Sequence, residues 1–355
     1  MLNFWKNKKV FLTGHTGFKG SWMTQVLLNL GADVKGYALA PSTEKNHYHS
    51  ISLGSKIQED IADLRDYQKL KASIQSYQPD VVFHLAAQPL VRYSYHNPLE
   101  TYEVNVMGTA NLLNACREIE SIKSIVAITT DKCYENKEWI WPYRETDRLG
   151  GHDPYSNSKA CCELVIDAYS KSFFYDKEVG LASARAGNVI GGGDWSEDRL
   201  LPDIVRSYFA NESVSVRSPN AIRPWQHVLE PIYGYMLLAE KIYSTREFNG
   251  GYNFGPTDNE QIRVIDILNL TKEFLGEDFQ FEVHENSDLH EAGLLSLDSA
   301  KAVSQLNWKP KWSGKEAIEM TLKWFKEQNS APHNTEKLTN SHIDYYFSQG
   351  QSPQS

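Results

Sequence analysis

The sequence has few cysteines, and their arrangement predicts neither a metal site nor a disulfide framework. Its four cysteines, among 355 residues, stand at 116, 133, 161 and 162, and no two of them form a Cys-x-x-Cys pair. That spacing fits neither a structural zinc site nor a set of disulfides. We therefore expect no bound metal, and we expect free thiols in a reducing cytoplasm.

Long apolar runs and basic clusters are also missing. No apolar run approaches the ~20 residues that span a bilayer, and the first residues lack the apolar core of a signal peptide. The formal net charge is −9, without a basic stripe interleaved with aromatic residues. We predict a cytoplasmic protein that binds neither membranes nor nucleic acid. Its 41% hydrophobic residues are enough for one large or two closely packed domains.

A glycine-rich turn follows the first apolar stretch. Residues 9–13 predict a buried strand, and the run Gly14-His-Thr-Gly-Phe-Lys-Gly20 leads into an amphipathic helix that ends near Gly31. Glycines here let a diphosphate approach the bare N–H groups at the start of a helix. We therefore predict a dinucleotide site. The expected cofactor contacts from this turn are Gly14, Thr16, Gly17, Phe18 and Gly20.

An acidic residue is missing where NAD-binding folds often carry one. The second predicted strand, 34–39, continues into Ala40-Pro-Ser-Thr43, without a carboxylate for ribose hydroxyls or an arginine for a 2′-phosphate. These residues therefore leave the choice between NAD and NADP open. Asp60 and Ile61, at the end of the next short strand, are predicted to contact the adenine ring.

Strand and helix patterns alternate through the first half of the chain. Five βα units by residue 178 predict a parallel, doubly wound α/β sheet of the Rossmann type. One strand ends in Leu85-Ala86-Ala87, whose small side chains allow close approach of a cofactor ring. A long predicted helix, 99–119, carries Asn105 among apolar neighbours, where its amide could connect the strand ends to the active-site loop.

Two polar stretches have the residue types of a reaction centre. Thr130-Asp131-Lys132 follows the apolar strand 125–128, at the sheet edge where open α/β folds place their chemistry. Tyr155 and Lys159 are four residues apart and share one helix face. A cation at about 4 Å is worth roughly 4 kcal/mol at an effective dielectric of about 20. That is close to the roughly three pKa units that would make the Tyr155 phenol a general base near neutral pH.

The spacing of this second pair is common, and the chain repeats it elsewhere. Tyr67 and Lys71 also stand four residues apart, on a predicted surface helix that follows no strand with polar residues at its end. We interpret that pair as a solvated helix face. Only the surrounding motifs distinguish Tyr155 and Lys159 from it.

After residue 175 the alternation changes. A strand near 181–184 is followed by Arg185-Ala-Gly-Asn188 and a glycine-rich loop, and a later turn reads Arg223-Pro-Trp-Gln-His227. An arginine suits a nucleotide phosphate because it is always charged and can bind in a bidentate manner. The predicted substrate contacts are Gln88, Asn188, Arg223 and His227.

Taken together, these motifs resemble the extended short-chain dehydrogenase/reductase family over about residues 8–325. Within it, Thr130-Asp131-Lys132 resembles the Thr-Asp-Glu of the nucleotide-sugar 4,6-dehydratases, with lysine in place of glutamate. That replacement, the run Asn188–Trp195 and the motif His290-Glu-Ala are most similar to the CDP-glucose 4,6-dehydratase group. The resemblance implies NAD as cofactor, CDP-glucose as substrate, and a homodimer or homotetramer that pairs through helices near 101–119 and 157–174.

The resemblance also implies a mechanism of oxidation, elimination and reduction. Tyr155, supported by Lys159, would take the proton of the sugar 4-hydroxyl, which Thr130 holds, while NAD accepts the hydride. Asp131 and Lys132, as a pair, would move the protons that accompany loss of water. A 4-epimerase is the main alternative, since it needs the same Tyr/Lys pair but no acid–base pair for elimination. A dehydratase that acts on another nucleotide base and a non-catalytic NAD sensor are further alternatives.

The expected domain organisation follows from the change of pattern near residue 180. We predict an NAD-binding Rossmann domain over 1–180, with segments near 225–255 returning to it. A smaller α/β nucleotide-sugar-binding domain is expected over 181–330. The polar residues 331–355 predict a mobile tail.

Overall fold

The computed structural model describes residues 3–216, 218–256, 262–276, 278–283 and 294–349. The strands in these ranges are β1 Lys9–Thr13, β2 Asp33–Ala38, β3 Gln58–Ile61, β4 Val81–His84, β5 Ser124–Ile128, β6 Gly180–Ala186, β7 Val189–Ile190, β8 Val214–Val216, β9 Gln226–His227, β10 Gly250–Phe254 and β11 Phe281–Val283. The α-helices are α1 Phe18–Asn29, α2 His47–Ser50, α3 Tyr67–Tyr77, α4 Val91–His96, α5 Pro98–Tyr102, α6 Gly108–Cys116, α7 Pro154–Tyr169, α8 Leu200–Ala210, α9 Leu229–Ser244, α10 Val264–Leu275, α11 Ala300–Leu306, α12 Gly314–Ser330 and α13 Thr335–Ser348.

Seven parallel strands form the central sheet, in the order β10-β6-β5-β4-β1-β2-β3. The predicted doubly wound α/β fold is confirmed. The strand order reverses between β1 and β4, whose ends pair at Thr13 and His84. Ligands of open α/β sheets bind in the crevice at such a reversal, outside the carboxyl ends of the strands. The predicted glycine turn and the predicted Leu85-Ala-Ala segment follow these two strands directly.

Alternating side chains along each strand build one apolar layer on each face of the sheet. In β1, Val10 and Leu12 belong to the layer that includes α1, α9 and α12, whereas Phe11 belongs to the layer that includes α3, α6 and α7. In β5, Val126 and Ile125 divide in the same way. The central strands are therefore enclosed on both faces, and only their ends can carry chemistry.

The second half of the chain adds small elements beyond the carboxyl ends of the large sheet. β7 pairs with β9, and β8 pairs with β11. β10, at Gly250–Phe254, returns to the large sheet as the neighbour of β6. The division of the chain into two domains near residue 180 stays a prediction.

The predicted continuous helix over 99–119 is interrupted. A π-helical turn, Glu103–Met107, separates α5 from α6. Single π-turns within helices are frequent at functional sites because the extra residue redirects a side chain. The residue at the centre of this turn is Asn105, which is buried.

The prediction of a mobile tail after residue 330 is wrong for residues 335–348. These residues form α13, and Leu338, Ile343 and Tyr346 are buried against the core. The Tyr346 hydroxyl donates a hydrogen bond of 2.6 Å to Glu230 of α9. The average composition of this segment is polar, but its few apolar residues share one face of an amphipathic helix. Composition alone therefore did not predict the helix.

Three buried histidines, His342 on α13 and His47 and His227 near it, should make the protein sensitive to acid. Burial lowers the pKa of His47 to about 3 and that of His342 to about 4, and it also lowers the pKa of His227. Between these values and the ordinary value near 6.5, protons bind the unfolded chain more tightly than the folded one. The free energy of unfolding is therefore highest above about pH 6.5. It decreases as the pH falls toward the pKa of the folded state, by roughly 1.4 kcal/mol per pH unit for each group.

Denaturant unfolding at about pH 7 and about pH 5 measures this slope. The variant His342→Gln should have a shallower slope than the unmodified chain. The matched control is His333→Gln, at an exposed histidine just before α13, which should keep the original slope. An unchanged slope in His342→Gln would contradict the assignment.

Two further features concern the described ranges only. Within them, no helix is long and apolar enough to cross a membrane, and no group of three or more His, Cys, Asp or Glu residues could hold a metal ion. The motif His290-Glu-Ala and the last residues, 350–355, lie outside the described residues.

Candidate active site

The glycine turn after β1 packs its backbone against the backbone of Leu85 and Ala86, at the point where the strand order of the sheet reverses. Gly14 has φ +80°, a conformation that side chains rarely adopt, and a Cβ there would lie 2.6 Å from the Ala86 nitrogen. A Cβ on Gly20 would collide with the Gly14 carbonyl. Both glycines are therefore required for the close packing of β1, α1 and the segment after β4.

The start of α1 fits the diphosphate of a dinucleotide. Gly17 is the N-cap residue, and no described side chain caps the helix or places an acidic group in its first turn. The partial positive charge of these N–H groups suits an anion. The Thr16 hydroxyl donates to the Leu39 carbonyl at 2.8 Å, and Phe18 packs beside Gly191. Thr16 therefore joins the turn to the end of β2, where a ribose would lie.

Leu85, Ala86 and Ala87 are partly exposed after β4, as an approach to a cofactor ring requires. Asn105 fixes this segment: its Oδ1 accepts from the Gln88 nitrogen at 2.8 Å, and its Nδ2 donates to the Gln88 carbonyl at 3.1 Å and to Ser158 Oγ at 2.9 Å. Asn105 thus joins the end of β4 to helix α7, whereas its connection to the active-site loop stays a prediction.

The side chain of Gln88 does not fit its predicted substrate contact. Its Nε2 donates to the Leu90 carbonyl at 3.1 Å and to Thr101 Oγ1 at 2.9 Å, and its Oε1 accepts from the Leu90 nitrogen at 2.5 Å. Both polar atoms of the Gln88 side chain are therefore hydrogen-bonded to Leu90 or Thr101. Gln88 shapes the loop instead of presenting a free polar group.

Asp60 and Ile61 lie at the end of β3, the edge strand on the adenine side of the fold. Asp60 Oδ2 accepts from Ser73 Oγ at 2.6 Å and pairs with Lys35 Nζ at 3.0 Å. Burial raises the pKa of Asp60, but these partners outweigh it, so the pKa is lowered overall. Ile61 is exposed. The carboxylate keeps lone pairs for an amino group, so contact with adenine stays a prediction.

Thr130, Asp131 and Lys132 lie directly beyond the end of β5. Thr130 is the N-cap of a short 3₁₀ turn, Asp131–Cys133, and its Oγ1 accepts from the Lys132 nitrogen at 3.3 Å. The same hydroxyl donates to Asp131 Oδ1 at 2.9 Å. Lys132 Nζ stands 3.8 Å from that oxygen, with 31% of its side chain exposed against 1% for Asp131. The buried Asp131 carboxyl group therefore lies beside the partly exposed Lys132 side chain.

Helix α7 brings Tyr155 and Lys159 to the same place. Both are buried, and the Tyr155 phenol interacts with the Thr130 hydroxyl. Lys159 Nζ donates to the Ile128 carbonyl at 3.4 Å. The structure thus brings together all five predicted catalytic residues.

Without bound ligands, the surroundings of Tyr155 do not make it a base near neutral pH, and its role as a base beside Lys159 and an oxidised nicotinamide ring stays a prediction. Burial raises the pKa of Tyr155, which the interaction with Thr130 and the charge of Arg199 only partly oppose. Burial also lowers the pKa of Lys159. Desolvation disfavours both charged forms, so a phenolate here requires further positive charge. An oxidised nicotinamide ring would supply it.

The three remaining substrate predictions have different outcomes. Asn188 lies between β6 and β7, partly exposed, and Arg223 is also partly exposed. His227 is completely buried, with Trp22 and Trp312 rings at 5.8 and 4.7 Å. The prediction of a substrate contact for His227 is therefore corrected: the ring packs between the sheet region and the C-terminal helices.

Three charged residues near the reaction centre were missed. Lys19 is half-buried, and its desolvation together with the charges of Arg199 and Lys159 lowers its pKa to about 7. Arg199 pairs with Asp194 at 3.1 Å and also influences Tyr155. Glu163, one turn after Lys159 on α7, is buried. The spacing Tyr155, Lys159, Glu163 was the only available sequence signal for any of them.

Comparison with known proteins now adds to this geometry. Residues 11–321 match the GDP-mannose 4,6 dehydratase family. CDP-glucose 4,6-dehydratase from Salmonella typhimurium is 49% identical over 330 residues, which cover 91% of this chain and 92% of that protein. The chain belongs to the GDP-mannose 4,6 dehydratase family. The family resemblance and the predicted class, a nucleotide-sugar 4,6-dehydratase, are confirmed.

More distant relatives of this family member include epimerases. UDP-glucose 4-epimerase from Halalkalibacterium halodurans is 26% identical, with 91% of this chain and 96% of that protein covered. The solved UDP-glucose 4-epimerase from Thermotoga maritima superimposes with a TM-score of 0.79 at 21% identity, over 90% of this chain and 99% of that chain. At that identity, the likeness confirms the fold alone.

Proposed function

We propose that this enzyme converts CDP-D-glucose to CDP-4-dehydro-6-deoxy-D-glucose and water, with NAD as a cofactor that is regenerated in each turnover. The observation that carries the proposal is the arrangement of Asp131 and Lys132. The buried carboxyl group of Asp131 and the partly exposed side chain of Lys132 adjoin each other beside the predicted Thr130, Tyr155 and Lys159 site.

The second carboxyl oxygen of Asp131 is the strongest single feature. Asp131 Oδ2 is buried and has no hydrogen-bond partner among the described residues. A Cβ on Gly187 would lie 3.1 Å from this oxygen and 2.5 Å from Pro224 Cγ, so only a glycine fits beside it. Leaving such an atom unsatisfied costs about 1–3 kcal/mol. A substrate hydroxyl that receives a proton from Asp131 would satisfy it.

Each residue then has one task. Thr130 holds the sugar 4-hydroxyl while Tyr155 removes its proton. The C4 ketone acidifies the C5–H bond, and Lys132 takes the C5 proton while Asp131 gives a proton to the departing C6 hydroxyl. Lys132 later returns its proton to C5. The proton left on Tyr155 can reach Asp131 through the Thr130 hydroxyl, which contacts both, and this balances the turnover.

The cofactor is NAD, which when bound accepts a hydride from C4 and returns it to C6. The residues that would hold it are the first-turn N–H groups of α1 for the diphosphate, Leu85–Ala87 for the nicotinamide side, and Asp60 and Ile61 for adenine. The required positive φ of Gly14 and the uncapped start of α1 fit this group. No acid follows β2, so Thr16 and the backbone near Leu39 would face the ribose.

The choice of CDP-glucose rests on the relative that shares 49% identity and carries that name. Arg223 and Asn188 are the proposed contacts of the nucleotide diphosphate, with Arg199 as an additional cation near the sugar. We also propose a cytoplasmic homodimer or homotetramer. Exposed Leu99, Met107 and Leu164 on α5, the π-turn and α7 would lie in its interface.

A 4-epimerase is the second candidate, favoured by the relatives at 26% identity. Thr130, Tyr155 and Lys159 would serve an epimerase equally well, because it also oxidises C4. Asp131 and Lys132 distinguish the two reactions, since an epimerase needs neither a proton at C6 nor a base at C5. A non-catalytic NAD sensor would have no use for any of these side chains.

Mass spectrometry with a panel of nucleotide sugars tests the proposal. The enzyme is incubated with CDP-, dTDP-, GDP- and UDP-glucose and with GDP-mannose, without added NAD and then with it. We expect the loss of one water from CDP-glucose and much slower reaction of the others. Conversion of glucose to galactose without loss of mass would support the epimerase. No reaction even with added NAD would contradict both enzymatic functions.

A further inference from the structure

We infer that Glu163 and Arg185 form a positioning pair that holds the Thr130–Lys132 segment in register with Tyr155 for the elimination step. This inference rests on the proposed function, and it concerns two residues that do not touch the reacting atoms. Both are buried: 3% of the Glu163 side chain and 6% of the Arg185 side chain are exposed.

The two charges are joined directly. Arg185 Nη2 donates to Glu163 Oε2 at 2.6 Å, and the same oxygen accepts from Ser183 Oγ at 2.6 Å. Removing one partner of a buried pair leaves an uncompensated charge, whereas replacing both is often nearly neutral for stability. Stability alone therefore does not explain why an ion pair occupies this position.

The pair holds both ends of the reactive segment. The other oxygen of Glu163 accepts a hydrogen bond from the Thr129 hydroxyl, one residue before Thr130. Arg185 Nη1 donates to the Tyr134 hydroxyl at 2.7 Å, two residues after Lys132. The guanidinium carbon also lies 5.2 Å from the centre of the Tyr134 ring. Between these two anchors the chain carries the proposed acid and base.

A second set of hydrogen bonds holds Tyr134 in place. The Tyr134 hydroxyl donates to Asn253 Oδ1 at 2.7 Å, and Asn253 Nδ2 donates to the Tyr143 carbonyl at 2.8 Å. Asn253 belongs to β10, the strand that returns to the large sheet. The reactive segment is thus tied to α7 at one end and to the sheet at the other.

Helix α7 makes the connection to the first half of the reaction. Tyr155, Lys159 and Glu163 follow one another at intervals of four residues and face the sheet together. The negative charge of Glu163 also opposes the lowering of the Lys159 pKa that burial causes. One rigid helix therefore sets the distance between the oxidising residues and the residues that eliminate water.

The test compares Glu163→Gln with Glu230→Gln. Glu230 is a matched control because it is also a buried carboxyl group. It accepts from the Lys311 and Trp312 nitrogens at 2.9 and 2.8 Å and from the Tyr346 hydroxyl, and it packs against α13. With CDP-glucose and NAD, rapid mixing follows reduced nicotinamide by absorbance, and mass spectrometry separates oxidised sugar from dehydrated sugar.

We expect Glu163→Gln to slow dehydration about 10²-fold, the scale of a misplacement of about 1 Å, with KM within a few-fold of the original. Reduced nicotinamide and the oxidised, undehydrated sugar should accumulate. Glu230→Gln should lower the melting temperature without changing the ratio of the two steps. Equal slowing of both steps in Glu163→Gln, in proportion to its folded fraction, would overturn the inference.

A double variant, Glu163→Gln/Arg185→Gln, keeps the test decisive if the single variant folds poorly. It leaves no unpaired buried charge, so it should regain stability while elimination remains slow. Recovery of the original elimination rate in the double variant would overturn the inference. Absence of dehydration by the unmodified enzyme would instead overturn the proposed function, a result that the variants cannot imitate.

Discussion

Replacement of Lys132 by methionine should stop the loss of water from CDP-glucose while oxidation at C4 continues. Methionine keeps most of the volume of the lysine chain but cannot take the C5 proton. A positioned general base contributes typically about 10²–10⁴-fold, so dehydration should fall by a factor in that range. Reduced nicotinamide should form and persist, because its hydride can return to C6 only after the elimination.

Lys137→Met is the matched control for this experiment. Lys137 lies in the same connection between β5 and α7, has 53% of its side chain exposed and pairs with Glu135 at 2.6 Å. Its variant should dehydrate the substrate at the original rate. Dehydration by Lys132→Met at the rate of the unmodified enzyme would exclude Lys132 as the C5 base.

The second large effect is expected at Tyr155. Tyr155→Phe keeps the ring but removes the hydroxyl that interacts with Thr130, so neither the oxidation nor the later steps should proceed. We expect turnover to fall by about 10²–10⁴-fold or more, with no reduced nicotinamide detected on mixing. This variant should therefore differ from Lys132→Met in the first step, although both fail to release product.

The matched control for Tyr155 is Tyr67→Phe. Tyr67 has the same spacing to a lysine, Lys71, and its hydroxyl accepts a hydrogen bond of 2.7 Å from Asn114. Its loss should cost about 0.5–1.5 kcal/mol of stability and leave turnover unchanged. Formation of reduced nicotinamide at the original rate by Tyr155→Phe would contradict the assigned role.

The direction of the pH dependence follows from the same residue. Burial raises the pKa of Tyr155 in the protein without ligands, so the proton-accepting form becomes rarer as the pH falls. The oxidation step should therefore slow toward acid pH. Bound oxidised cofactor adds positive charge and should shift this limb to lower pH, which rapid mixing with the cofactor already bound would detect.

The features whose positions in the fold could be predicted from the sequence are those carried by local spacing. The turn Gly14–Gly20, the polar end of β5 and the Tyr155/Lys159 pair each lie within a few residues of a strand end or helix start. Because parallel strands end at the same edge, these separate motifs could be placed together without coordinates. The π-turn at Asn105 interrupts the helix that the sequence predicted as continuous.

The errors and omissions arose where long-range packing decides. His227 follows a promising arginine turn, yet the rings of Trp22 and Trp312 enclose it, and they are far from it in the chain. Lys19 lies in the glycine turn, and nothing local in the sequence shows that its charge comes near Lys159. Glu163 lies on helix α7 and Arg185 on strand β6, so no local spacing in the sequence predicts that they form an ion pair.

The most direct test of the central claim follows the hydrogen at C4. CDP-glucose that carries deuterium at C4 is mixed with CDP-glucose that lacks deuterium but carries a heavy carbon label, and the products are analysed by mass spectrometry and NMR. We predict that deuterium appears at C6 of the dehydrated product and stays within the molecule in which it began. Loss of deuterium to solvent, its exchange between molecules, or its return to C4 would contradict internal hydride transfer followed by elimination.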